Sequence, residues 1–313
     1  MPLTTVRATG DRSAAESEPF HKYIHVPVAG GALTVAQAGP PPEAASGVAL
    51  VLHGMTGSHM VYRTVAREVS GGPRPMCILA PDLRGRGLSA QLPEPYGMAA
   101  HVADLLAVLD HTGAERVIVV GHSMGCNIAV RFAADHPERV SAVVLVDGGL
   151  PLLSEFDMSD DGDEEPHGLF DRFDRTFASG AEYLEYWRTH PALHAAWDED
   201  IEAFVRRDFV EDADGARCVV EQKAPLTDIQ DLMFDGVTWD AVTRVQAPVR
   251  LLRAERGMYD DDPLIELPDL DEFLRENPHV SAELVWNVNH FTLLIGGGHG
   301  PRHVAATLVE HAR

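Results

Sequence analysis

Residues 121–125, with the sequence Gly-His-Ser-Met-Gly, follow the apolar run Val-Ile-Val-Val at 117–120 and precede a stretch typical of a helix at 126–134. This order predicts a strand, a sharp turn and a helix, with Ser123 at the apex of the turn. Glycines on both sides of the serine let the strand and the helix approach each other closely. The hydroxyl of Ser123 would then be exposed at the end of a strand and beside the positive end of a helix dipole, as a nucleophile requires.

Short apolar runs recur on both sides of this turn. The predicted strands lie at 48–52, 76–80, 117–120, 142–146, 248–253 and 282–286, and the predicted helices at 59–69, 98–112 and 302–312. An N-terminal hairpin is predicted around Gly30 and Gly31. Continuously apolar strands separated by helices are typical of a parallel sheet that helices cover on both faces. The sequence therefore predicts an α/β fold.

The alternation of strands and helices is interrupted at 148–243. This segment contains amphipathic stretches near 168–189, 198–212 and 216–234. An insertion of about a hundred residues is too long for a plain loop, and we expect a helical cap over the carboxyl edge of the sheet. The predicted division is a mobile N-terminal arm at 1–20, a core at 21–147 and 244–313, and the cap at 148–243.

The composition excludes several classes of partner. The chain carries 48 acidic against 25 basic residues and a formal net charge of −23, so nucleic acid and anionic membranes would be repelled. No apolar run reaches the length of a membrane span, and the first residues lack the apolar segment of a signal peptide. Cys77, Cys126 and Cys218 are scattered and predict free thiols. We therefore expect a cytoplasmic protein with a small-molecule substrate, and a homo-oligomer is compatible with the sequence.

A serine nucleophile needs a general base, and the base needs an orienting acid. His290 follows the last predicted strand and precedes the last predicted helix. In a parallel sheet this loop opens at the same edge as the serine turn, so we predict that His290 is the base. His122, within the serine motif, is expected to pack beside the turn.

The acid has two candidates. Asp147 directly follows the strand at 142–146 and precedes a Gly-Gly pair that permits a tight turn. Asp260 lies in the acidic group after the strand at 248–253 that also contains Glu255, Asp261 and Asp262. Either position keeps the order serine, acid, histidine along the chain. We favour Asp147, with Asp260 as the main alternative.

The tetrahedral intermediate of acyl transfer needs donors for its oxyanion. Residues 53–57, with the sequence His-Gly-Met-Thr-Gly, follow the first strand of the parallel set. The backbone of this loop can turn amide groups toward Ser123. We predict that the amides of Met55 and Met124 form the oxyanion hole.

Five stretches together resemble the α/β-hydrolase superfamily, and the likeness covers almost all of the chain outside the arm and the cap. They lie at 53–57, 81–89, 121–125, 145–149 and 289–291. The resemblance implies an eight-stranded, mostly parallel sheet flanked by helices, an inserted helical cap, and hydrolysis through an acyl-enzyme without metal or cofactor.

One stretch departs from the family pattern. The family usually carries its acid in a Gly-x-x-Asp pattern after the seventh strand, whereas residues 254–257 of this chain are Ala-Glu-Arg-Gly. Some members carry the acid after the sixth strand instead, and that position corresponds to Asp147. This difference is the main reason for preferring Asp147 to Asp260.

The expected function is that of a capped serine esterase or lactonase acting on a mainly apolar carboxylic ester or lactone. The alternatives are a carbon–carbon bond hydrolase or an acyltransferase of the same fold, and a non-catalytic small-molecule receptor on a hydrolase scaffold. The acidic run at 157–165 is expected to be solvated rather than to bind a metal. Aromatic residues of the first cap helices should mostly pack the cap, with one or two lining the substrate pocket: Phe170, Phe173, Phe177, Tyr183, Tyr186 and Trp187.

Overall fold

A computed structural model describes residues 18–150 and 170–312 of the chain. The strands in these ranges are β1 (Phe20–Val28), β2 (Gly31–Ala38), β3 (Val48–Leu52), β4 (Cys77–Pro81), β5 (Val117–His122), β6 (Val140–Val146), β7 (Phe209–Asp212), β8 (Gly215–Cys218), β9 (Val249–Arg256) and β10 (Val280–Asn289). The α-helices are α1 (Arg63–Ser70), α2 (Met98–Thr112), α3 (Met124–Asp135), α4 (Gly180–Arg188), α5 (Glu199–Val205), α6 (Lys223–Phe234), α7 (Gly236–Trp239), α8 (Leu267–Glu276) and α9 (His299–His311). Short 3-10 helices lie at Pro42–Ala44, His59–Tyr62, Gly87–Ser89, Pro137–Arg139, His194–Ala196 and Asp240–Arg244.

Eight strands form one sheet in the order β1-β2-β4-β3-β5-β6-β9-β10. The β1–β2 and β2–β4 pairs are antiparallel, and all other neighbours in the sheet are parallel. The prediction of a mostly parallel, eight-stranded sheet is confirmed. Because the parallel strands end at one edge, the loops that follow β3, β5, β6 and β10 meet there.

The sheet is covered on both faces, and its central side chains alternate between two apolar clusters. In β3, Leu50 and Leu52 belong to one cluster, whereas Ala49 and Val51 belong to the other. Every residue of β5 is buried. Strands with two buried faces are continuously apolar, which explains the runs in the sequence.

The insertion between β6 and β9 contains a hairpin as well as the helices α4 to α7. The prediction of helix at 198–212 and 216–234 is wrong at 209–218, where β7 and β8 pair antiparallel. Gly215 has a φ of +122°, a backbone conformation that favours glycine. The backbone N–H of Asp214 donates to Oδ1 of Asp212 at 2.9 Å, which stabilises the turn.

Carboxylates from the insertion are buried against the core. Asp200 of α5 accepts hydrogen bonds from Thr64 at 3.1 Å and from Nη2 of Arg67 at 2.6 Å. Asp228 of α6 accepts a hydrogen bond from the backbone N–H of Gly97 at 2.7 Å. The insertion is therefore attached to the core by charged groups as well as by apolar packing.

Two further regions differ from expectation. Residues 1–17 of the predicted arm lie outside the described residues, but β1 begins at Phe20, which is only 2% exposed. The helix α8 was not anticipated, because only Leu270 and Phe273 on it are buried and its apolar stripe is short. The acidic run at 157–165 also lies outside the described residues.

Candidate active site

Ser123 lies in the turn between β5 and α3 with a φ of +54° and a ψ of −125°. Non-glycine residues seldom adopt such a conformation, and strain of this kind is concentrated at functional sites. A Cβ added at Gly121 would lie 2.2 Å from the carbonyl oxygen of Gly125, and one added at Gly125 would lie 2.4 Å from that of Leu52. Both glycines are therefore required by the close contact between strand, turn and helix.

His290 and Asp147 form a buried pair beside the serine turn. They follow directly after β10 and β6, and Nδ1 of His290 lies 2.8 Å from Oδ2 of Asp147. The other carboxylate oxygen of Asp147 accepts a hydrogen bond from the backbone N–H of Ala254 at 2.9 Å. With its Nδ1–H directed to the carboxylate, a neutral His290 has Nε2 free to accept a proton.

Ser123 and His290 line the same cavity at the carboxyl edge of the sheet. The structure describes both side chains and contains no direct hydrogen bond between them. Such hydrogen bonds are often long or poorly aligned in enzymes without bound substrate and shorten when it binds. The arrangement is therefore compatible with proton transfer from Ser123 to His290.

Asp260, the alternative acid, contacts the residue before His290 rather than the imidazole. Its Oδ1 accepts hydrogen bonds from Nε of Arg256 at 2.7 Å and from Nδ2 of Asn289 at 2.8 Å. The same Asn289 amide donates to the carbonyl oxygen of Ala192 at 2.9 Å. Asp260 thus supports the loop that carries His290, and Asp147 is the carboxylate that contacts the ring.

The loop after β3 is oriented by His53. The backbone N–H of Leu83 donates to Nε2 of His53 at 2.9 Å, so the ring proton lies on Nδ1, which donates to the Gly54 carbonyl oxygen at 2.7 Å. Burial lowers the pKa of His53 to about 4, so the ring is neutral near pH 7. The C=O and N–H of a trans peptide point in opposite directions, and the Met55 N–H therefore faces away from His53.

The structure places both predicted oxyanion donors next to the serine. Met55 lines the cavity together with Ser123 and His290. Met124 is the first residue of α3, and amides in the first turn of a helix have no acceptor within it. Its side chain is buried and does not line the cavity, so only its backbone can serve the site.

His122 has a closer relation to the base than the sequence suggested. Its Nε2 lies 3.0 Å from the carbonyl oxygen of His290, and the two ring centroids are 4.6 Å apart. Burial, and then the neighbouring His290, lower the pKa of His122 to about 3. His122 is therefore a neutral residue that donates to the His290 backbone, and only its position inside the serine motif hinted at this contact.

Most other side chains described in the cavity wall are apolar, apart from Thr56 and His122. The side chains Val61, Met258, Phe291 and Ile295 come from the core, and Trp187 and Phe204 come from α4 and α5 of the insertion. Of the six aromatic residues, one or two of which we predict to line the pocket, Trp187 does so, whereas Phe177 and Tyr183 pack against each other with centroids 4.8 Å apart.

Two properties of the cavity wall bear on the kind of ligand that it could bind. Among the described residues, those lining the cavity include no Asp, Glu, Lys or Arg side chain. The indole N–H of Trp187 is buried and has no acceptor within the described part of the chain. Because burying an unpaired donor is costly, an acceptor that reached this N–H when a ligand binds would be favoured.

Residues 18–150 and 170–312 contain neither a cluster of metal ligands nor a membrane-spanning helix. No group of three or more His, Cys, Asp or Glu side chains in these ranges could hold a metal ion. No helix there is long and apolar enough to cross a membrane. Cys77, Cys126 and Cys218 are free thiols, as predicted.

The fold and the serine turn define a class of protein. The family model described as "alpha/beta hydrolase fold" matches residues 48–186. The chain therefore has the α/β-hydrolase fold, as its sequence motifs predict.

Solved structures share this fold at low sequence identity. The thioesterase domain from the curacin biosynthetic pathway has a TM-score of 0.71 and 17% identity, over 92% of this chain and 99% of that one. E-2-(acetamidomethylene)succinate hydrolase has a TM-score of 0.71 and 19% identity, over 92% of this chain and 100% of that one. At these identities the likeness describes the fold alone.

Curated relatives match over shorter stretches. Lipase LipV of Mycobacterium tuberculosis is 38% identical over 103 residues, which are 33% of this chain and 38% of the lipase. A putative carbamate hydrolase, RutD of Klebsiella pneumoniae, is 44% identical over 72 residues, 23% of this chain and 27% of that protein. Epoxide hydrolase B of Mycobacterium tuberculosis is 36% identical over 112 residues, 35% of this chain and 31% of that enzyme. The chain thus spans less than two fifths of each relative, and their names describe different reactions.

Proposed function

We propose that this protein is a serine hydrolase that cleaves a mainly apolar carboxylic ester or lactone through an acyl-enzyme. The observation that carries the proposal is the convergence of Ser123, the His290–Asp147 pair and the Met55 loop at one cavity, whose described lining carries no Asp, Glu, Lys or Arg side chain. Each group follows a different strand, yet all lie at one edge of the sheet. Such a set of nucleophile, base, orienting acid and backbone donors supports acyl transfer.

The reaction has two stages. His290 Nε2 takes the proton of Ser123 while Oγ attacks the carbonyl carbon, and the Met55 and Met124 amides stabilise the oxyanion. The protonated His290 then gives its proton to the leaving alkoxide, and the acyl group stays on Ser123. Water then attacks the acyl carbon while His290 takes one of its protons, and transfer of this proton to Ser123 Oγ releases the acid and restores the serine. Asp147 holds Nδ1–H and stabilises the positive charge on the ring.

The cavity wall supports a neutral substrate. No acidic or basic side chain among the described residues lines the cavity, and burying a charged substrate group there would be costly. The indole N–H of Trp187 supports a substrate that carries an oxygen acceptor. Trp187 and Phe204 also support the proposal that the insertion at 148–243 acts as a cap over the site.

The relative named epoxide hydrolase raises a second reaction for comparison. Epoxide hydrolases of this superfamily carry an aspartate nucleophile where this chain has Ser123. A serine there favours acyl chemistry, and the lipase relative agrees in name with an ester substrate.

A substrate panel tests the proposal. Purified protein is assayed with p-nitrophenyl esters of increasing acyl length, with neutral lactones, and with a styrene-type epoxide. We expect hydrolysis of neutral esters or lactones that is lost in Ser123→Ala, and no turnover of the epoxide. Turnover of esters that survives in Ser123→Ala, or folded protein with no turnover of any ester or lactone, would contradict the proposal; the second result would favour the receptor.

A further inference from the structure

Arg86 is a fully buried cation that the proposed chemistry does not use. It lies after β4, is 0% exposed, and its Nε donates to the carbonyl oxygen of Met55 at 2.8 Å. Its Nη1 donates to the carbonyl oxygen of Arg84 at 2.7 Å. The guanidinium is therefore a fixed link between the turn after β4 and the loop that carries the Met55 amide.

The counterion of Arg86 comes from the insertion. Nη2 of Arg86 lies 2.5 Å from Oδ2 of Asp228 on α6. The same carboxylate lies 3.0 Å from Nε2 of His101 and accepts the backbone N–H of Gly97 at 2.7 Å. Burial acts to raise the pKa of Asp228, but the charges and hydrogen bonds of its neighbours outweigh burial and hold the pKa well below its usual range. Asp228 is thus ionised, and the buried charge of Arg86 is compensated.

This compensation depends on the insertion being in place. A buried guanidinium without its carboxylate is strongly unfavourable and would turn toward solvent or draw in water. Either change would release the carbonyl oxygen of Met55. The hydrogen bond from Arg86 to the Met55 carbonyl oxygen fixes the peptide between Met55 and Thr56. The hydrogen bond from His53 to the Gly54 carbonyl oxygen fixes the preceding peptide, which contains the Met55 N–H. One peptide of the loop is therefore fixed by His53 of the core. The next is fixed by Arg86, whose charge is balanced by Asp228 of the insertion.

We propose that Asp228, acting through Arg86, is a positioning residue that couples the seating of the insertion to the orientation of the Met55 oxyanion loop. The inference rests on the proposed function, because it assigns the loop its catalytic role. It gives α6, none of whose residues lines the cavity, a role in orienting the loop. A productive loop would then form only when α6 is docked on α2.

The chain offers a matched control on the same helix. Asp231, one turn after Asp228, accepts the backbone N–H of Met98 at 2.6 Å. Both carboxylates thus bind the N-terminal end of α2, but only Asp228 contacts Arg86. Replacing Asp231 weakens the docking of α6 without touching the link to Met55.

The test compares Asp228→Asn, Asp231→Asn and Arg86→Lys with the wild type on a neutral ester. Active sites are counted by fluorophosphonate titration, so that partial unfolding does not lower the apparent rate. We expect Asp228→Asn and Arg86→Lys to lower kcat about tenfold with little change in KM, since poorly placed oxyanion donors affect the transition state. Asp231→Asn should stay within about twofold of the wild type.

Hydrogen exchange gives a readout that does not need turnover. In Asp228→Asn, peptides covering residues 54–58 should exchange faster than in the wild type, whereas Asp231→Asn should leave them unchanged. If both asparagine variants change exchange and kcat equally, the link is only structural and the proposal fails. It also fails if Arg86→Lys keeps full kcat. A wild type without ester turnover would refute the proposed function, while faster exchange restricted to Asp228→Asn would still support the coupling.

Discussion

The carboxyl edge of the sheet and the insertion contribute different groups to the same cavity. Edge loops supply Ser123, the His290–Asp147 pair and the Met55 amide, each fixed by backbone or buried hydrogen bonds. The insertion supplies Trp187 and Phe204, which offer apolar surface and one unpaired N–H. We infer that the edge performs the chemistry and the insertion selects the substrate. Substitutions of the cavity-lining side chains on the two sides should therefore change different kinetic constants.

Removing the nucleophile should have the largest effect. Ser123→Ala should lower kcat by about four orders of magnitude or more, because no acyl-enzyme can form. Initial rates on a neutral ester check this, with the thermal unfolding midpoint as the control for folding. Residual activity within about a hundredfold of the wild type would break the assignment of the chemistry to this edge.

Replacing the acid of the triad should have the second-largest effect on kcat. Asp147 and Asp260, the two candidates for this acid, provide a paired test. Asp147→Asn should lower kcat about a thousandfold or more with little change in KM, because the orientation and charge stabilisation of His290 are lost. Asp260→Asn should lower kcat by less than about tenfold, since Asp260 contacts Asn289 and Arg256 instead. The reverse ranking in steady-state kinetics would move the acid to the loop after β9.

The two regions should also differ in how they tolerate an added methyl group. Gly125→Ala places a Cβ 2.4 Å from the carbonyl oxygen of Leu52, so we expect a loss of about 3 kcal/mol in the free energy of unfolding. Gly236→Ala in the insertion meets nothing within 4 Å and should be neutral or slightly stabilising. Urea unfolding of both variants measures the difference. Equal losses would contradict the close packing at the serine turn.

Buried neutral histidines at the edge should make stability depend on pH. The pKa of His53 falls from 6.5 to about 4 on folding, mainly through burial, so the unfolded chain binds more protons between these values. The stability contributed by neutral His53 is complete above pH 6.5 and is lost as the pH falls toward 4. Urea unfolding from pH 7 to pH 4 should show a smaller decline in His53→Gln than in the wild type. An identical decline in both proteins would contradict this account.

The smallest predicted effect concerns the insertion side of the cavity. Trp187→Phe keeps an aromatic side chain, removes the pyrrole ring with its N–H and leaves the groups of the sheet edge unchanged, so kcat on a plain alkyl ester should be nearly unchanged. For an ester with an oxygen atom in its acyl chain, KM should rise about threefold to tenfold, the value of one hydrogen bond. A comparison of the two esters in wild type and variant measures this. A large fall in kcat on both esters would show that Trp187 takes part in the chemistry.

The sequence was sufficient for the sheet and the serine turn because local sterics determine them. The glycines at 121 and 125 leave one compact arrangement of strand, turn and helix, and the continuous apolar runs reflect two buried faces. His290 followed from topology, since loops after parallel strands share an edge. The acid did not follow from topology, because Asp147 and Asp260 both lie after strands. The departure from the family pattern at 254–257 favoured Asp147, and in the structure Asp147 contacts the His290 ring whereas Asp260 contacts Asn289.

The insertion was less accessible to sequence reasoning for a physical reason. Its hairpin at 209–218 depends on the backbone conformation of Gly215 and on the turn that Asp212 stabilises. These two signals cover only a few residues, whereas the amphipathic pattern that predicts helix extends over the whole segment. The contact of Asp228 with Arg86 depends on how α6 docks on α2, which no spacing in the chain specifies. The one hint was the amphipathic pattern of α6, which predicts burial of one face but not its partner.

The most direct measurement is to label the folded protein with a fluorophosphonate probe and locate the adduct by peptide mass spectrometry. The account predicts one adduct, on Ser123, that forms rapidly in the wild type and about a hundredfold or more slowly in Asp147→Asn. It also predicts that Asp260→Asn reacts at nearly the wild-type rate. Folded wild-type protein that stays unlabelled at Ser123, or is labelled at another residue, would contradict the central claim that this sheet edge carries an activated serine.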